Sequence, residues 1–564
     1  MTWILSLLIG MVCAAAPASA QRGGESRVEV RDEWLYVDGE AFLVKGVGYS
    51  PARPGQVPWT MPVNLEVLAS DFAKIREAGF NTLRTWAPLT PEQLALAKQY
   101  ELMVLQGIWV DQRGNYLSEA FQNTMLDTVR KEVVRAARSD NVLAVLIGNE
   151  LLPERAYLAG FSQTDALLKL AYQTAKQADA ARLVSYANWP QLPAIDLSVW
   201  DLVCLNLYPY EPVSVSHSLG FRGYLEYLKR TAAKRKPLIV TEVGLSVSPT
   251  SRRPGYGGHS EEEQAREGVK LWDTTFQAGA QGACVFEWND EWWKQAEATG
   301  DEQTHDPEDP EEWFGITRFQ SAGQTDPQPR PLYHALKAYN QAILLSPVSD
   351  EGYQEHVPVT VYTTEAVASV RVRLGTQKWR AVIQVSPHWW KTQLLLPSAR
   401  SPKQLRVTME ARGKDGKTLI RQERLIWTGL SQPAAMLTIQ TDRDHYDVDG
   451  ELVPMSVGIT VTETTGKPLA DQEVWYSIAE PQEKTERAFS ARTDAQGRVS
   501  ATYLLREPGL VTLAAGTPID RVRPARRVGN LQWIVVERRE PEAAATQATT
   551  PHQPSAWERR AAET

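Results

Sequence analysis

Between residue 44 and about residue 340, short runs of apolar and β-branched residues alternate with longer stretches in which apolar positions recur every three or four residues. Short apolar runs of four to seven residues suit buried strands, and the longer spacing suits amphipathic helices. The strand-like runs are 44–49, 82–86, 103–109, 142–148, 182–187, 202–207, 238–241 and 283–288. The helix-like stretches between them include 65–78, 91–100, 126–139, 164–180, 219–235 and 261–278. Eight strands with intervening helices in about 300 residues is the arithmetic of an α/β (β/α)₈ TIM barrel. An open doubly wound sheet would want a Gly-rich phosphate turn after its first strand, and the sequence has none there.

The flanks follow another grammar. Residues 27–44 read as a hairpin, with Asp38-Gly39 as its turn. A closing helix is expected at 330–336, so the barrel domain is taken as 27–345. Beyond it the apolar period drops to two, with turns such as Asp415-Gly416 and Asp494-Ala-Gln-Gly497 breaking the runs. This predicts two all-β sandwiches of immunoglobulin-like type, at 356–435 and 436–538. Residues 539–564 lack periodicity and are rich in Ala, Thr, Glu and Pro, which predicts a disordered tail.

Composition narrows the partners. With 564 residues the chain is too long for one core. A net charge of −8 and no polybasic block argue against nucleic acid or an anionic membrane surface. Residues 4–16 are apolar and Ala18-Ser19-Ala20 precede Gln21, the pattern of a signal peptide over 1–20, so a secreted or periplasmic protein is expected. No later stretch is apolar for long enough to predict a membrane span. Cys204 and Cys284 fall on the sixth and eighth strands, which are not neighbours, and two free buried thiols are expected. The histidines show no metal-ligand spacing and no Gly-x-Ser-x-Gly elbow occurs, so neither a metal, another cofactor nor a serine nucleophile is expected.

Polar residues at the carboxyl ends of barrel strands face the active site. The fourth strand runs Val145-Leu-Ile-Gly-Asn149-Glu150, and the seventh runs Ile239-Val-Thr-Glu242. Each ends an apolar run in a carboxylate that is costly to desolvate. Two carboxylates at one barrel mouth are what glycoside hydrolysis needs, one as acid and one as nucleophile ~5 Å away in a retaining enzyme. Trp86 and Trp109 follow strands two and three directly and are candidates to line sugar subsites; Trp59, Trp189, Trp292 and Trp293 also fall near the mouth. The acidic stretch 301–312 is read as a solvated loop rather than a calcium site, and His388-Trp389-Trp390 as packing against the barrel.

On these motifs the chain resembles glycoside hydrolase clan A, most nearly the family 2 barrel, over roughly residues 28–342. Phe42-Leu-Val-Lys-Gly-Val-Gly48 resembles that family's first strand, Asp201-Leu-Val-Cys-Leu-Asn-Leu-Tyr208 its sixth and Lys236-Pro-Leu-Ile-Val-Thr-Glu-Val-Gly244 its seventh. Tyr49-Ser50 stands where the family usually has His-Glu. The resemblance implies that Glu150 is the acid/base, Glu242 the nucleophile and Asn149 the residue that binds the sugar 2-hydroxyl. It further implies that Arg84 holds the nucleophile ionised, that Tyr208 approaches it with its hydroxyl and that Trp288 floors the sugar subsite. The expected function is an exported retaining β-glycoside hydrolase acting on a β-linked oligo- or polysaccharide. The alternatives are a β-glucan transglycosylase using the same residues, or a non-catalytic glycan-binding envelope protein.

Overall fold

The computed structural model describes residues 28–58, 64–189, 195–210, 219–251, 256–294, 303–397, 403–428, 435–443, 445–463, 465–480, 487–518 and 527–538. The expected signal peptide, the expected disordered tail and Trp59 lie outside these residues.

The chain opens on a three-stranded antiparallel sheet, β1 (Val28–Arg31), β2 (Trp34–Val37) and β3 (Glu40–Phe42). Eight parallel strands then close into a barrel: β4 (Val44–Gly48), β5 (Thr82–Arg84), β6 (Met103–Ile108), β7 (Val142–Asn149), β8 (Val184–Asn188), β9 (Val203–Asn206), β10 (Leu238–Val243) and β11 (Gly282–Val285). Each pairs with its sequence neighbour, and β11 closes on β4 with Gly282 opposite Val44. All residues of these strands are buried except Met103 at the start of β6, as a parallel sheet sheathed by helices requires.

Four of the helices that follow start at side-chain caps, Asn64, Thr90, Ser118 and Ser260. Among the described residues the helices are α1 (Leu65–Glu77), α2 (Pro91–Gln99), α3 (Glu119–Ala136), α4 (Pro153–Ala159), α5 (Phe161–Ala178), α6 (Gly220–Arg230), α7 (Glu261–Gln277) and α8 (Pro331–Tyr339). Thr90 with Gln93 and Ser260 with Glu263 form reciprocal capping boxes, each satisfying two backbone donors that the first turn leaves open. The fourth crossover carries α5, near the expected 164–180, preceded by a further short helix, α4, that ends at Gly160. Its φ of +87° is a left-handed backbone that ends the first helix.

The opening hairpin plugs the barrel's amino-terminal end. Leu35 is fully buried against Val44, Leu105, Leu143 and Ile239, and Val28, Val30 and Val37 pack on the same cluster. Cys204 and Cys284 are buried free thiols within that interior.

Two β-sandwiches follow. The first joins the sheets built on His356–Thr363 and Lys403–Gly413, whose inward valines share one core with Trp390, Met409 and Ile426. Ala342–Ser346, placed in the barrel by its sequence, instead pairs antiparallel with His356–Thr363. The barrel therefore ends with α8, and the strand is recruited because its Ala342 and Leu344 side chains complete the sandwich core. Trp389 docks this sandwich on the hairpin: its indole donates to the Ala41 carbonyl at 2.8 Å and meets Trp34 edge-on at 5.2 Å. That is packing, as the sequence suggested. The second sandwich joins a three-stranded and a five-stranded sheet around Tyr446, Met455, Ile478, Leu513 and Ile534. Its strand Gly509–Pro518 also reaches the barrel, where Ala514 is buried in the barrel's own outer core beside α4. No helix among the described residues is long and apolar enough to cross a membrane.

Candidate active site

The two glutamates are delivered by different local devices. Glu242 lies within β10, and the strand's register shifts on both sides around it. Glu150 is the first residue after β7. Gly148 and Glu150 both take positive φ, +80° and +45°, so the chain turns out of the barrel wall while the Glu150 amide still donates to the Ala187 carbonyl at 3.0 Å. A non-glycine residue in the left-handed region is costly and is retained where the surrounding structure forces it, commonly at functional sites. Gln112 clamps this turn from above, with its side-chain amide donating to the carbonyls of Asn149 and Glu150 at 2.6 and 2.9 Å.

Glu242 is 4% exposed and receives three donors. Arg84 at the end of β5 reaches one carboxylate oxygen at 3.0 Å, and the Trp86 indole N–H reaches the same oxygen at 3.0 Å. The Tyr208 hydroxyl donates to the other oxygen at 2.9 Å. An ionised carboxylate is acceptor-only, and these donors match it. The Arg84 guanidinium sits 4.1 Å from the Trp86 ring centroid and donates to the Asn149 side-chain oxygen, tying the nucleophile candidate to the Asn149-Glu150 pair.

Glu150 meets other surroundings. One donor, the Asn206 side-chain amide, reaches it at 2.8 Å, and the same group reaches Asn149 at 3.1 Å. Thr241 orients Asn206 by donating to its oxygen at 2.7 Å. Burial, then the neighbouring Glu242 charge, push the Glu150 carboxyl up to about 8. One carboxyl is thus kept protonated at neutral pH beside one held by a cation and two neutral donors, the division of labour that acid catalysis with a nucleophile requires.

Arg84, Trp86, Asn149 and Tyr208 therefore gather on the glutamate pair where the sequence placed them. Trp109 stands just beyond β6 with half of its surface exposed and no bond to either carboxylate. Trp288 is a correction. It is fully buried and packs edge-on against Tyr333 of α8, so it presents no face to a sugar. Phe286, two residues earlier, occupies the aromatic cluster at the pair, edge-on to Trp86 at 5.6 Å and to Tyr208 at 6.0 Å. A two-residue difference changes the side because the strand proper ends at Val285 and alternation no longer fixes direction.

The acidic stretch after β11 is also corrected. From residue 303 it folds onto the barrel: Asp309 and Glu312 are buried, and His305 stacks on Trp313. Among the described residues no three His, Cys, Asp or Glu side chains are placed to hold a metal ion. Sequence reasoning missed Asn206 and Thr241, although a polar residue ending an apolar strand was the signal already used for the glutamates. It also missed Gln112 and Lys294, which come from loops without periodicity.

No curated protein matches the chain. Among solved structures, β-glucuronidase 3 of Bacteroides uniformis aligns at 15% identity over 90% of this chain and 64% of its own, with a TM-score of 0.42. The Ruminococcus gnavus β-glucuronidase aligns at 17% over 55% and 52%, with a TM-score of 0.44. The GH2 β-galacturonidase of Eisenbergiella tayi aligns at 19% over 56% and 53%, with a TM-score of 0.42. The chain thus spans between half and two thirds of the length of these proteins. Residues 46–305, from within the first barrel strand to beyond the eighth, match the family model described as the BtgE/BtgC glycoside hydrolase domain.

Proposed function

We propose that the chain is an exported β-glycosidase that works with retention, through a covalent glycosyl intermediate on Glu242. The observation that carries this reading is the unequal treatment of the two glutamates. Glu242 receives Arg84, Trp86 and Tyr208, while Glu150 is burdened by burial and by the Glu242 charge.

In the first step the Glu242 carboxylate attacks the anomeric carbon as the Glu150 carboxyl passes its proton to the departing glycosidic oxygen. The bond to the leaving group breaks as the bond to Glu242 forms. The leaving alcohol departs with the proton and Glu150 becomes ionised. In the second step Glu150 takes a proton from an incoming water, whose oxygen attacks the same carbon and frees Glu242. Arg84 stabilises the charge returning to Glu242, and Asn149 lies beside both groups, where a sugar hydroxyl next to the anomeric carbon would sit.

A 2-deoxy-2-fluoro β-glycosyl fluoride that traps the intermediate should add one glycosyl mass to Glu242. Labelling of another residue would overturn the assignment. Glu242→Gln should lower kcat by at least ~10³, and Glu150→Ala should recover turnover when azide is added. Products longer than the donor oligosaccharide would reassign the second step from water to a sugar acceptor. Export rests on the pattern of residues 1–20, and the mature protein from the native host should begin at Gln21.

A further inference from the structure

The loop after the eighth strand adds a second set of ionisable groups to the mouth. Lys294 lies 4.6 Å from the Phe286 ring centroid, and Phe286 touches both Trp86 and Tyr208, the two aromatic donors to Glu242. The Lys294 ammonium is shared between Glu291 and Glu311, each at 3.4 Å. Glu311 also accepts from the Tyr256 hydroxyl and keeps about a third of its side chain open to solvent, so it forms part of the mouth's surface. Beneath it, Glu287 stands beside Gly48 and close to Trp86, almost fully buried, and no donor reaches either of its carboxyl oxygens.

The charges do not balance. Among the described residues, five carboxyl groups, Glu150, Glu242, Glu287, Glu291 and Glu311, meet two cations, Arg84 and Lys294. Both cations are already paired: Arg84 with Glu242, and Lys294 with two glutamates. The excess is relieved by protons, since Glu150 is raised to about 8 and Glu287 well above the usual carboxylate range, burial being the leading cause for each. A ligand carboxylate bound among these groups would add a like charge in a poorly solvated mouth and, among the described residues facing it, find no free cation.

We infer that the glycosyl unit cleaved at this site carries no carboxylate: the mouth takes a neutral sugar and rejects a uronic acid. This rests on the double-displacement reading above. The rejection is electrostatic and comes from the Glu291 and Glu311 charges, with Lys294 spent on holding that pair together. A neutral sugar with a hydroxymethyl group at the same carbon meets hydrogen-bond acceptors instead of repulsion.

The test compares matched 2-deoxy-2-fluoro glycosyl fluorides that differ only in that group, glucosyl against glucuronosyl and galactosyl against galacturonosyl, with mannosyl added. The rate of mass addition to the intact protein is followed at pH 7. At least one neutral reagent should label Glu242, at least about tenfold faster than its uronosyl partner. Glu311→Gln should shrink that ratio several-fold, chiefly by speeding the uronosyl reagent. A uronosyl reagent that labels as fast as its neutral partner, or a ratio unmoved in Glu311→Gln, overturns the inference while leaving Glu242 as nucleophile. Labelling by none of the five reagents counts against the double-displacement reading itself and removes the basis for this one.

Discussion

At the scale of single residues, the environment of Glu150 ties activity and stability to one proton. Its carboxyl must be protonated to act as acid, so kcat/KM should fall as pH rises through about 8, and Glu150→Gln should abolish that limb together with most activity. The same shift opposes folding. The folded state holds a proton that the unfolded chain gives up near 4.5, so from about pH 4.5 to about 8 the folded state binds more protons and this group's contribution to stability falls as pH rises. Glu150→Gln should therefore raise the thermal midpoint at pH 7–8 and change it little near pH 4. Equal midpoints at both pH values would count against a protonated Glu150. Lys45 gives the opposite sign. Burial at the barrel's amino-terminal end lowers it to about 7, while its ammonium donates to the Asn340 carbonyl at 3.1 Å. Its penalty is absent above the unfolded value near 10.5 and grows as pH falls towards 7. Lys45→Met should gain most in urea stability, relative to the parent, at pH 6 and least at pH 10.

At the scale of elements, the turn that ends β7 decides where Glu150 points. Gly148 holds φ at +80°, with only Val110 and Tyr186 at contact distance from a Cβ placed there. Crowding is thus not the obstacle; backbone conformation is. Gly148→Ala should cost about 1–2 kcal/mol and lower kcat more than it raises KM, because it displaces the acid rather than the binding surface. Unchanged kcat with lowered stability would show that the turn tolerates the strain without moving Glu150. The barrel's strands were readable because parallel strands sheathed on both faces leave uninterrupted apolar runs, and Asn149, Glu150 and Glu242 announced themselves by ending such runs. Legibility failed wherever regular structure stops. Trp288 sits three residues past β11, where nothing in the sequence says which side chain faces the mouth, and Phe286 took that place. Ala342–Ser346 reads as strand in either domain, and only the partner His356–Thr363, ten or more residues on, decides its sheet. The loop of Asp309 and Glu312 reads as solvated in a composition count, which is blind to backbone donors such as the Asp306 N–H to Glu312 at 2.7 Å and the Glu311 N–H to Asp309 at 3.0 Å.

At the scale of the molecule, the second sandwich is braced against the barrel at a sensitive place. Ala514 is buried beside α4, the helix that begins three residues after Glu150. Ala514→Asp should destabilise the protein by ~2–3 kcal/mol and reduce kcat along with it, read by thermal melting and steady-state rates. A stability loss with full activity would make the sandwich a passive neighbour. The hairpin bears on the molecule differently. With Leu35 packed on Val44, Leu105, Leu143 and Ile239, the amino-terminal end of the filled barrel is covered among the described residues, and both glutamates lie at the opposite, carboxyl-terminal end. Under the proposed double displacement, glycan would enter, the leaving group exit and the second-step nucleophile arrive at that one end, one after another. The outcome of each catalytic cycle then becomes a matter of queueing. Whichever molecule first fills the threshold vacated by the leaving group, water or another sugar, determines whether the chain is cut or rebuilt.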